Sequence, residues 1–331
     1  MKAITRYLSD QVIHDLEQKM VFIGGPRQVG KTTLSKALPI KTGYLNWDIV
    51  DHREALLKYQ LPTEPLWVFD ELHKFKGWRN YLKGVYDAFA DKHKILVAGS
   101  AHLDYYRRGG DSLQGRYHYL RLHPLSCAEL KISTPDDFLT LLKLGGFPEP
   151  FYLGSDIEAK RWSREYRQRI IQEDLMSLEN VKDWALLELL MMRLPTLVGS
   201  PLSINAIRED LQVSHKTLAR WLNILCRLYA IFRISPFGAP SIRAVKKEQK
   251  HYHTDWSLVD TEGARFENLM ASHLLKWIHF EQDTKARELE LRYFRDTNGR
   301  EVDFIITENE IPIHAIECKW GDDNVSKHLI Y

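Results

Sequence analysis

The sequence predicts an α/β protein: a parallel sheet with crossover helices comes first, followed by a helical segment, a winged-helix-like module and a smaller α/β module. Between residues 19 and about 125, short apolar runs alternate with helical patterns, which is typical of such a sheet. Residues 25–32 fit the pattern G-x-x-x-x-G-K-[ST] between the apolar run 20–23 and the helix-like stretch 33–38. A length of 331 residues suggests two or three domains.

The motif at 25–32 has the composition of a phosphate-binding loop. Its glycines let the backbone curl around a polyphosphate, and the backbone amides and the following helix N-terminus favour anionic oxygens. Lys31 is expected to reach the β- and γ-phosphates, and Thr32 to ligate Mg²⁺. A plain turn before a helix is the alternative, but the flanking strand and helix favour a nucleoside triphosphate site. The predicted nucleotide-binding residues are Gly25, Pro26, Arg27, Gln28, Val29, Gly30, Lys31, Thr32 and Thr33.

Two more candidate strands, 44–47 and 66–69, follow, and the second ends in Asp70 and Glu71. Four consecutive apolar residues suit a strand buried on both faces, and the acids emerge at its carboxyl end, where open α/β sheets bind ligands. We expect Asp70 to hold Mg²⁺ and Glu71, with Lys31, to be catalytic, because phosphoryl transfer needs positioning and charge neutralisation. The alternative is that Asp70 and Glu71 are only solvated residues at the end of a strand before a helix.

Two further polar residues are candidates for sensing the γ-phosphate. The apolar run 94–98 leads into Ser100, which would lie beside that phosphate, although Gly-Ser is also ordinary turn chemistry. Arg116 precedes the strand-like run 119–122 and could supply a cation to the transition state, within the subunit or to a neighbour. An exposed surface arginine is the alternative for Arg116.

The composition is that of a soluble globular protein with 44% hydrophobic and 27% charged residues. A formal net charge of only +2 gives no overall electrostatic field that would attract the protein to nucleic acid or a membrane, so such contacts would need local charged patches. The cysteines Cys127, Cys226 and Cys318 lie too far apart for a zinc ribbon or a disulfide framework. With no signal-like N-terminus and no run long enough to span a membrane, we expect a cytoplasmic location and no membrane partner.

The middle of the chain is predicted to be helical over 131–200, with an arginine-rich face over 161–169 that is either solvated or a phosphate contact. A helix-turn-helix pattern follows, in which Ser203 begins one helix and Ser214 caps the next. The second helix carries a cationic stripe that could contact DNA, although a hinge or packing module is the alternative. The stripe consists of Lys216, Arg220, Asn223 and Arg227.

The last third predicts an amphipathic helix carrying Glu267 and three strands, 291–295, 302–307 and 313–319, with Asn298-Gly299 as a hairpin turn. Asp303, Glu317 and Lys319 have the spacing of restriction-endonuclease-like folds. We expect Asp303, Glu317 and Glu267 to form a second metal site and Lys319 to be its catalytic partner. The alternative is a sheet with exposed charges.

Taken in order, the motifs resemble those of the prokaryotic AAA-like ATPases, and the likeness covers essentially the whole chain. They are the loop 25–33, Phe69-Asp70-Glu71-Leu72, Ala98-Gly99-Ser100, Gly115-Arg116-Tyr117, Leu122-His123-Pro124-Leu125-Ser126, Gly145–Pro150 and Gly263–Asn268. The resemblance implies ATP as the nucleotide, Arg116 as a phosphate-sensing residue, a winged helix and a nuclease-like C-terminal domain.

The resemblance divides the chain into an ATPase domain (1–130), a helical segment (131–200), a winged-helix-like module (201–245) and the nuclease-like domain (246–331). The nuclease-like fold ordinarily continues past the Glu-x-Lys strand with a helix and another strand, whereas the sequence ends within the expected helix 324–331. We therefore expect this domain to be incomplete, completed by something else, or degenerate.

These features predict an ATP-binding protein that hydrolyses ATP with Mg²⁺ and acts as a switch for DNA or protein partners. One alternative is a metal-dependent nuclease regulated by ATP, and another is a nucleotide-gated DNA-binding module with negligible turnover. A homo-oligomer would be required if Arg116 acted across a subunit boundary.

Overall fold

The chain divides into two units, Met1–Ile132 and Ser133–Tyr331. The structure, a computed structural model, describes residues 4–99, 113–171, 183–238, 249–296 and 300–321. The predicted Ser100, the turn residues Asn298 and Gly299, and the segment 324–331 lie outside these ranges. The proposed boundaries at 200 and 245, both within the second unit, stay predictions.

The first unit contains a five-stranded sheet in the order β2-β3-β4-β1-β5, and each of its strand pairs is parallel. Its elements in chain order are α1 (Ser9–Asp15), β1 (Met20–Gly24), α2 (Lys31–Ala37), β2 (Thr42–Asn46), α3 (Val50–Leu57), β3 (Leu66–Asp70), α4 (Trp78–Phe89), β4 (Lys94–Ala98), β5 (Tyr117–Arg121) and α5 (Cys127–Leu130). This parallel, helix-connected sheet confirms the predicted α/β P-loop core.

Burial explains why these strands could be located from sequence. Every residue of β1 and β3 is buried, as expected for central strands covered on both faces. One core cluster packs Trp67 and Phe69 of β3 against Leu82 and Val85 of α4. The edge strand β2 begins two residues before its predicted start, because its pairing with β3 already begins at Thr42.

The second unit begins with helices, as predicted for 131–200. The helices described in that range are α6 (Pro135–Leu144), α7 (Pro148–Leu153), α8 (Asp156–Arg169) and α9 (Trp184–Arg193), and α10 (Ile204–Leu211) and α11 (His215–Arg227) follow it. The hydroxyls of Ser203 and Ser214 accept hydrogen bonds from the first turns of α10 and α11, so both predicted helix starts are confirmed. Within the described ranges, no helix has the length and hydrophobicity needed to cross a membrane.

A second five-stranded sheet follows, in the order β10-β9-β8-β6-β7. Its strands are β6 (Ile231–Pro236), β7 (Lys250–His253), β8 (Leu289–Arg295), β9 (Glu301–Glu308) and β10 (Ile311–Ile316), and α12 (Glu262–Lys285) lies between β7 and β8 in sequence. The pair β6–β8 is parallel and the other pairs are antiparallel. Ala271 and Ile278 of α12 pack in one core with Leu289 and Leu291 of β8.

The last predicted strand is shorter than expected. β10 ends at Ile316, so Glu317 and Lys319 lie beyond it. Instead of continuing the ladder, the Cys318 amide donates to the Asp303 side chain at 2.8 Å. The prediction that this strand runs to residue 319 and includes Glu317 and Lys319 is therefore wrong.

Replacing Ser214 with alanine tests the cap of α11. The Ser214 Oγ accepts from the Thr217 amide at 3.0 Å, and its loss leaves that amide unsatisfied at the helix start. We expect Ser214→Ala to lower the free energy of unfolding by about 1 kcal/mol, and Ser214→Asp to retain most of it. Urea unfolding followed by circular dichroism measures both; equal stability of the two variants would contradict the cap.

Candidate active site

The loop between β1 and α2 has a backbone that requires its glycines. Gly25 has φ +136°, and a Cβ there would lie 2.3 Å from the Leu122 carbonyl oxygen. Gly30, with φ 101°, directly precedes α2. Both values lie in the left-handed region, which glycine adopts without steric cost. The two glycines of the motif are thus fixed by backbone geometry.

Lys31 points back over this loop. Its ammonium donates to the carbonyl oxygens of Gly25, at 3.0 Å, and Pro26, at 2.7 Å. The side chain is largely buried, at 8% exposure for the residue. A cation is thereby held within the loop, as the sequence motif predicts for a phosphate site.

Asp70 and Thr32, which the sequence separates by 38 positions, meet beside the loop. The Thr32 hydroxyl donates to Asp70 Oδ2 at 2.7 Å. The register of β1 with β4 and of β4 with β3 brings the carboxyl end of β3 to the same sheet edge as the loop. A hydroxyl and a carboxylate are oxygen ligands of the kind that Mg²⁺ prefers, so these residues fit a Mg²⁺ that accompanies a nucleotide.

The neighbouring strand β2 contributes two residues that the sequence analysis did not identify. The Tyr44 hydroxyl donates to Asp70 Oδ2 at 2.7 Å and accepts from Asn46 Nδ2 at 3.1 Å. Burial raises the pKa of Tyr44 to about 12, so the hydroxyl remains a donor at neutral pH. The sequence did carry one signal for them: Tyr44 and Asn46 are two positions apart, which places their side chains on one face at the carboxyl end of the strand next to Asp70.

Glu71 turns away from the strand direction, with φ 55° in the left-handed region. Its Oε2 lies 3.4 Å from Lys74 Nζ and 3.6 Å from His73 Nε2. Burial raises the pKa of the Glu71 carboxyl, and the ammonium of Lys74 opposes this shift. A left-handed glutamate costs roughly 1–3 kcal/mol, so packing and these charges must hold it there.

A buried arginine, Arg6, ties the N-terminal segment to the loop. Its guanidinium donates to the Val29 carbonyl at 2.6 Å, the His123 carbonyl at 2.5 Å and Glu129 Oε1 at 2.8 Å. Glu129 is itself part of a capping box with Ser126 at the start of α5. Arg6 carries no sequence signal for this role, because nothing local to residue 6 indicates contacts with His123 and Glu129, more than a hundred positions away.

Arg116 lies away from the loop within its own chain. It immediately precedes β5, and its carbonyl accepts from the Met20 amide at 3.1 Å, at the start of β1. Its Nε donates to Asp87 Oδ1 at 2.9 Å. Because β5 runs parallel to β1, Arg116 lies at the amino edge of the sheet and the loop at the carboxyl edge. The structure therefore does not bring Arg116 to the loop, and action on a neighbouring subunit stays a prediction.

In the second unit, the predicted carboxylates Glu267 and Asp303 do come together, but around a lysine. Lys250, at 0% exposure, places its Nζ 3.4 Å from Glu267 Oε1, 2.7 Å from Glu301 Oε1 and 3.6 Å from Asp303 Oδ1. The Tyr252 hydroxyl also donates to Glu267, at 2.7 Å. Neither Lys250 nor Glu301 was expected there.

The other predicted members of that site form a separate contact, in which Lys319 Nζ lies 2.9 Å from Glu317 Oε1. Among the residues that the structure describes, no group of three or more His, Cys, Asp or Glu is arranged to hold a metal ion. The predicted site of Glu267, Asp303 and Glu317 with Lys319 is therefore not supported, because the Lys250 ammonium already balances the first two carboxylates.

Sequence profiles of known families cover the chain in three pieces. Residues 17–131 match an AAA domain. Residues 135–264 and 262–330 match two domains of unknown function, DUF8612 and DUF4143. The AAA match spans the loop, Asp70 and Glu71.

Two curated relatives are uncharacterized proteins of Mycobacterium bovis and Mycobacterium tuberculosis. Each is 24% identical to this chain over 245 residues, which is 72% of this chain. The match spans 55% of the length of each relative.

Similar solved structures include a variant of Thermotoga maritima RuvB, with a TM-score of 0.31, 16% identity and coverage of 68% of this chain and 88% of that chain. Another is a STAND signal-transduction ATPase with a tetratricopeptide-repeat sensor from Pyrococcus horikoshii, with a TM-score of 0.30, 16% identity and coverage of 86% and 47%. Both scores are too low to indicate a shared overall fold. By its strand order and its loop geometry the first unit has the fold of a P-loop NTPase, and over residues 17–131 it is similar to an AAA domain.

Proposed function

We propose that the first unit binds ATP with Mg²⁺ and hydrolyses it, and that this cycle switches the state of the second unit. The observation that carries the proposal is the 2.7 Å contact between the Thr32 hydroxyl and Asp70 beside a loop that holds Lys31. The match to an AAA domain supports ATP as the nucleotide.

The loop residues would bind the phosphates, with Lys31 exchanging its carbonyl partners for phosphate oxygens. Thr32 and Asp70 would hold the Mg²⁺, which neutralises charge on the phosphates when bound. Tyr44 would orient Asp70 by donating to one of its two oxygens, which leaves the other oxygen to accept from Mg²⁺-bound water.

Glu71 is the proposed residue that orients and polarises the attacking water. Its pKa, raised by burial, makes it a stronger proton acceptor than an exposed glutamate. Its contact with Lys74 holds the carboxylate charged in the geometry described above. Release from Lys74 would then be part of reaching the active arrangement.

Arg6 is the proposed support of the loop conformation. The Val29 carbonyl and the Gly30 N–H belong to one trans peptide, in which the two groups point in opposite directions. A guanidinium that holds this carbonyl at 2.6 Å therefore fixes the direction of the Gly30 donor. Because loop amides are the groups that bind phosphate, Arg6 would set the geometry of one of them.

DNA binding through α11 is a second candidate function. Leu218, Trp221, Leu222 and Leu225 are buried, whereas Lys216, Arg220, Asn223 and Arg227 are exposed on the other face. A capped helix with an exposed cationic face is what a recognition helix presents to a DNA groove. The nuclease alternative lacks comparable support, because its predicted carboxylates enclose Lys250.

Two substitutions separate ATP binding from hydrolysis. Lys31→Ala removes the cation of the loop and is expected to weaken ATP binding at least tenfold. Glu71→Gln keeps the size of the side chain and the Lys31 cation but removes the carboxylate, and is expected to bind ATP but lose at least 90% of turnover. Isothermal titration with a non-hydrolysable analogue and phosphate release measure the two effects. Turnover at the wild-type rate in both variants would refute the proposed site.

Arg6→Met tests the support of the loop. It removes three hydrogen bonds and leaves Glu129 buried without its cation, so we expect a lower melting temperature and about tenfold weaker binding of the ATP analogue. Lys58→Met, which breaks an exposed pair with Glu54, is the matched control and should change neither. Wild-type affinity in a folded Arg6→Met protein would contradict the role of Arg6.

The double variant Lys216→Ala/Arg220→Ala tests DNA binding by α11. If both side chains contact phosphates, the affinity for DNA should fall, and the plot of log K against log salt concentration should become less steep by about 2. Fluorescence anisotropy over a salt series measures this, with Lys41→Ala/Lys58→Ala, which removes two exposed lysines of the first unit, as the control. An unchanged slope would remove α11 as the DNA contact.

A further inference from the structure

A buried cation stands at the centre of the carboxylate cluster of the second unit. Lys250 begins β7, Glu267 lies on α12, and Glu301 and Asp303 lie on β9. The Lys250 ammonium is within 3.6 Å of all three carboxylates, and its side chain is 0% exposed. Because the lysine and the carboxylates come from three separate elements, the tertiary fold alone assembles this cluster.

Each of the three carboxylates also contacts a second polar group. The Tyr252 hydroxyl donates to Glu267 Oε1, and the Cys318 amide donates to Asp303 Oδ2 at 2.8 Å. Arg295 Nε lies 3.9 Å from Glu301 Oε2. The two hydrogen bonds and this longer ion pair help to hold the carboxylates in position around the ammonium, as is needed for a buried charge to be stable.

An ammonium and a divalent ion cannot share this position. Mg²⁺ and Ca²⁺ bind oxygen ligands at about 2.0–2.6 Å, which is closer than the ammonium lies to these carboxylates. A metal ion among the same oxygens would lie against Lys250 Nζ and repel it, and Lys250 has no exposed surface into which to withdraw.

We propose that Lys250 is the resident cation of this cluster, taking the place of the divalent ion that the spacing of Asp303 and Glu317 had predicted. The second unit therefore performs no metal-dependent chemistry at Glu267 and Asp303. Conversely, when the lysine is replaced, the three carboxylates can draw closer together, and the cluster then becomes able to bind a divalent cation. This inference is independent of ATP hydrolysis by the first unit.

The test compares the wild type, Lys250→Met and Lys319→Met as full chains without nucleotide. Lys319→Met is the matched control, since it removes an exposed lysine that pairs with Glu317 nearby in sequence. Melting temperatures are measured in EDTA and in millimolar Mn²⁺ or Ca²⁺. Any ion bound at Thr32 and Asp70 contributes equally to all three proteins and cancels in the comparison.

In EDTA, we expect Lys250→Met to melt about 5–15 °C below the wild type, because three carboxylates lose their cation. Mn²⁺ should restore a large part of this difference in Lys250→Met and have no such effect in the other two proteins. Titration with Mn²⁺ followed by electron paramagnetic resonance should count one more bound ion in Lys250→Met than in Lys319→Met.

A folded Lys250→Met protein that gains neither stability nor a bound ion would overturn the proposal. Should Lys250→Met fail to fold in either condition, the wild type and Asp303→Asn decide it by the same Mn²⁺ titration. Equal numbers of bound ions support the resident lysine, and one fewer ion in Asp303→Asn means that the wild-type cluster binds metal and that the proposal is wrong.

Discussion

The parallel register of β1, β4 and β3 is the constraint on which the candidate active site depends. It brings the carboxyl ends of β1 and β3 to one edge of the sheet, so the loop after Gly24 and the acids at the end of β3 face each other. The hydrogen bond between Thr32 and Asp70 closes this arrangement across the intervening strand. Parallel strands also require long crossovers, which place a helix after each of β1, β2 and β3.

Both units hold a buried cation by the same physical means. Arg6 is satisfied by two backbone carbonyls and Glu129, and Lys250 by three carboxylates. Removing a charge from water is costly, and several well-placed partners are required to offset the cost. The difference lies in the partners: Arg6 holds two backbone carbonyls and so fixes the direction of their peptide groups, whereas Lys250 is held by one carboxylate of α12 and two of β9 and so joins the helix to the sheet.

Local sequence patterns were sufficient to locate those helices and strands whose position depends on a single local property, such as an apolar run or a helix cap. Apolar runs bounded by turns predicted the ends of β1, β3 and β4 to within one residue of the observed ends. They could do so because a strand buried on both faces is mostly apolar. Ser203 and Ser214 predicted the starts of two helices, because a helix cap is a hydrogen bond between residues within four positions of each other in the sequence. The end of β10 was misplaced, since Cys318 bonds to Asp303, which is 15 positions away.

From the sequence by itself came the α/β class, the loop with its two required glycines, and the chemical identity of Lys31, Thr32, Asp70 and Glu71. These follow from short-range backbone geometry and from residue types that few other sites combine. Only the tertiary structure decided that Tyr44 contacts Asp70 and Arg6 contacts the loop, that Arg116 lies at the opposite edge of the sheet, and that Lys250 occupies the centre of the acidic cluster. Such contacts join residues that are distant in the chain, and a buried charge finds its partners only when the whole fold brings them together.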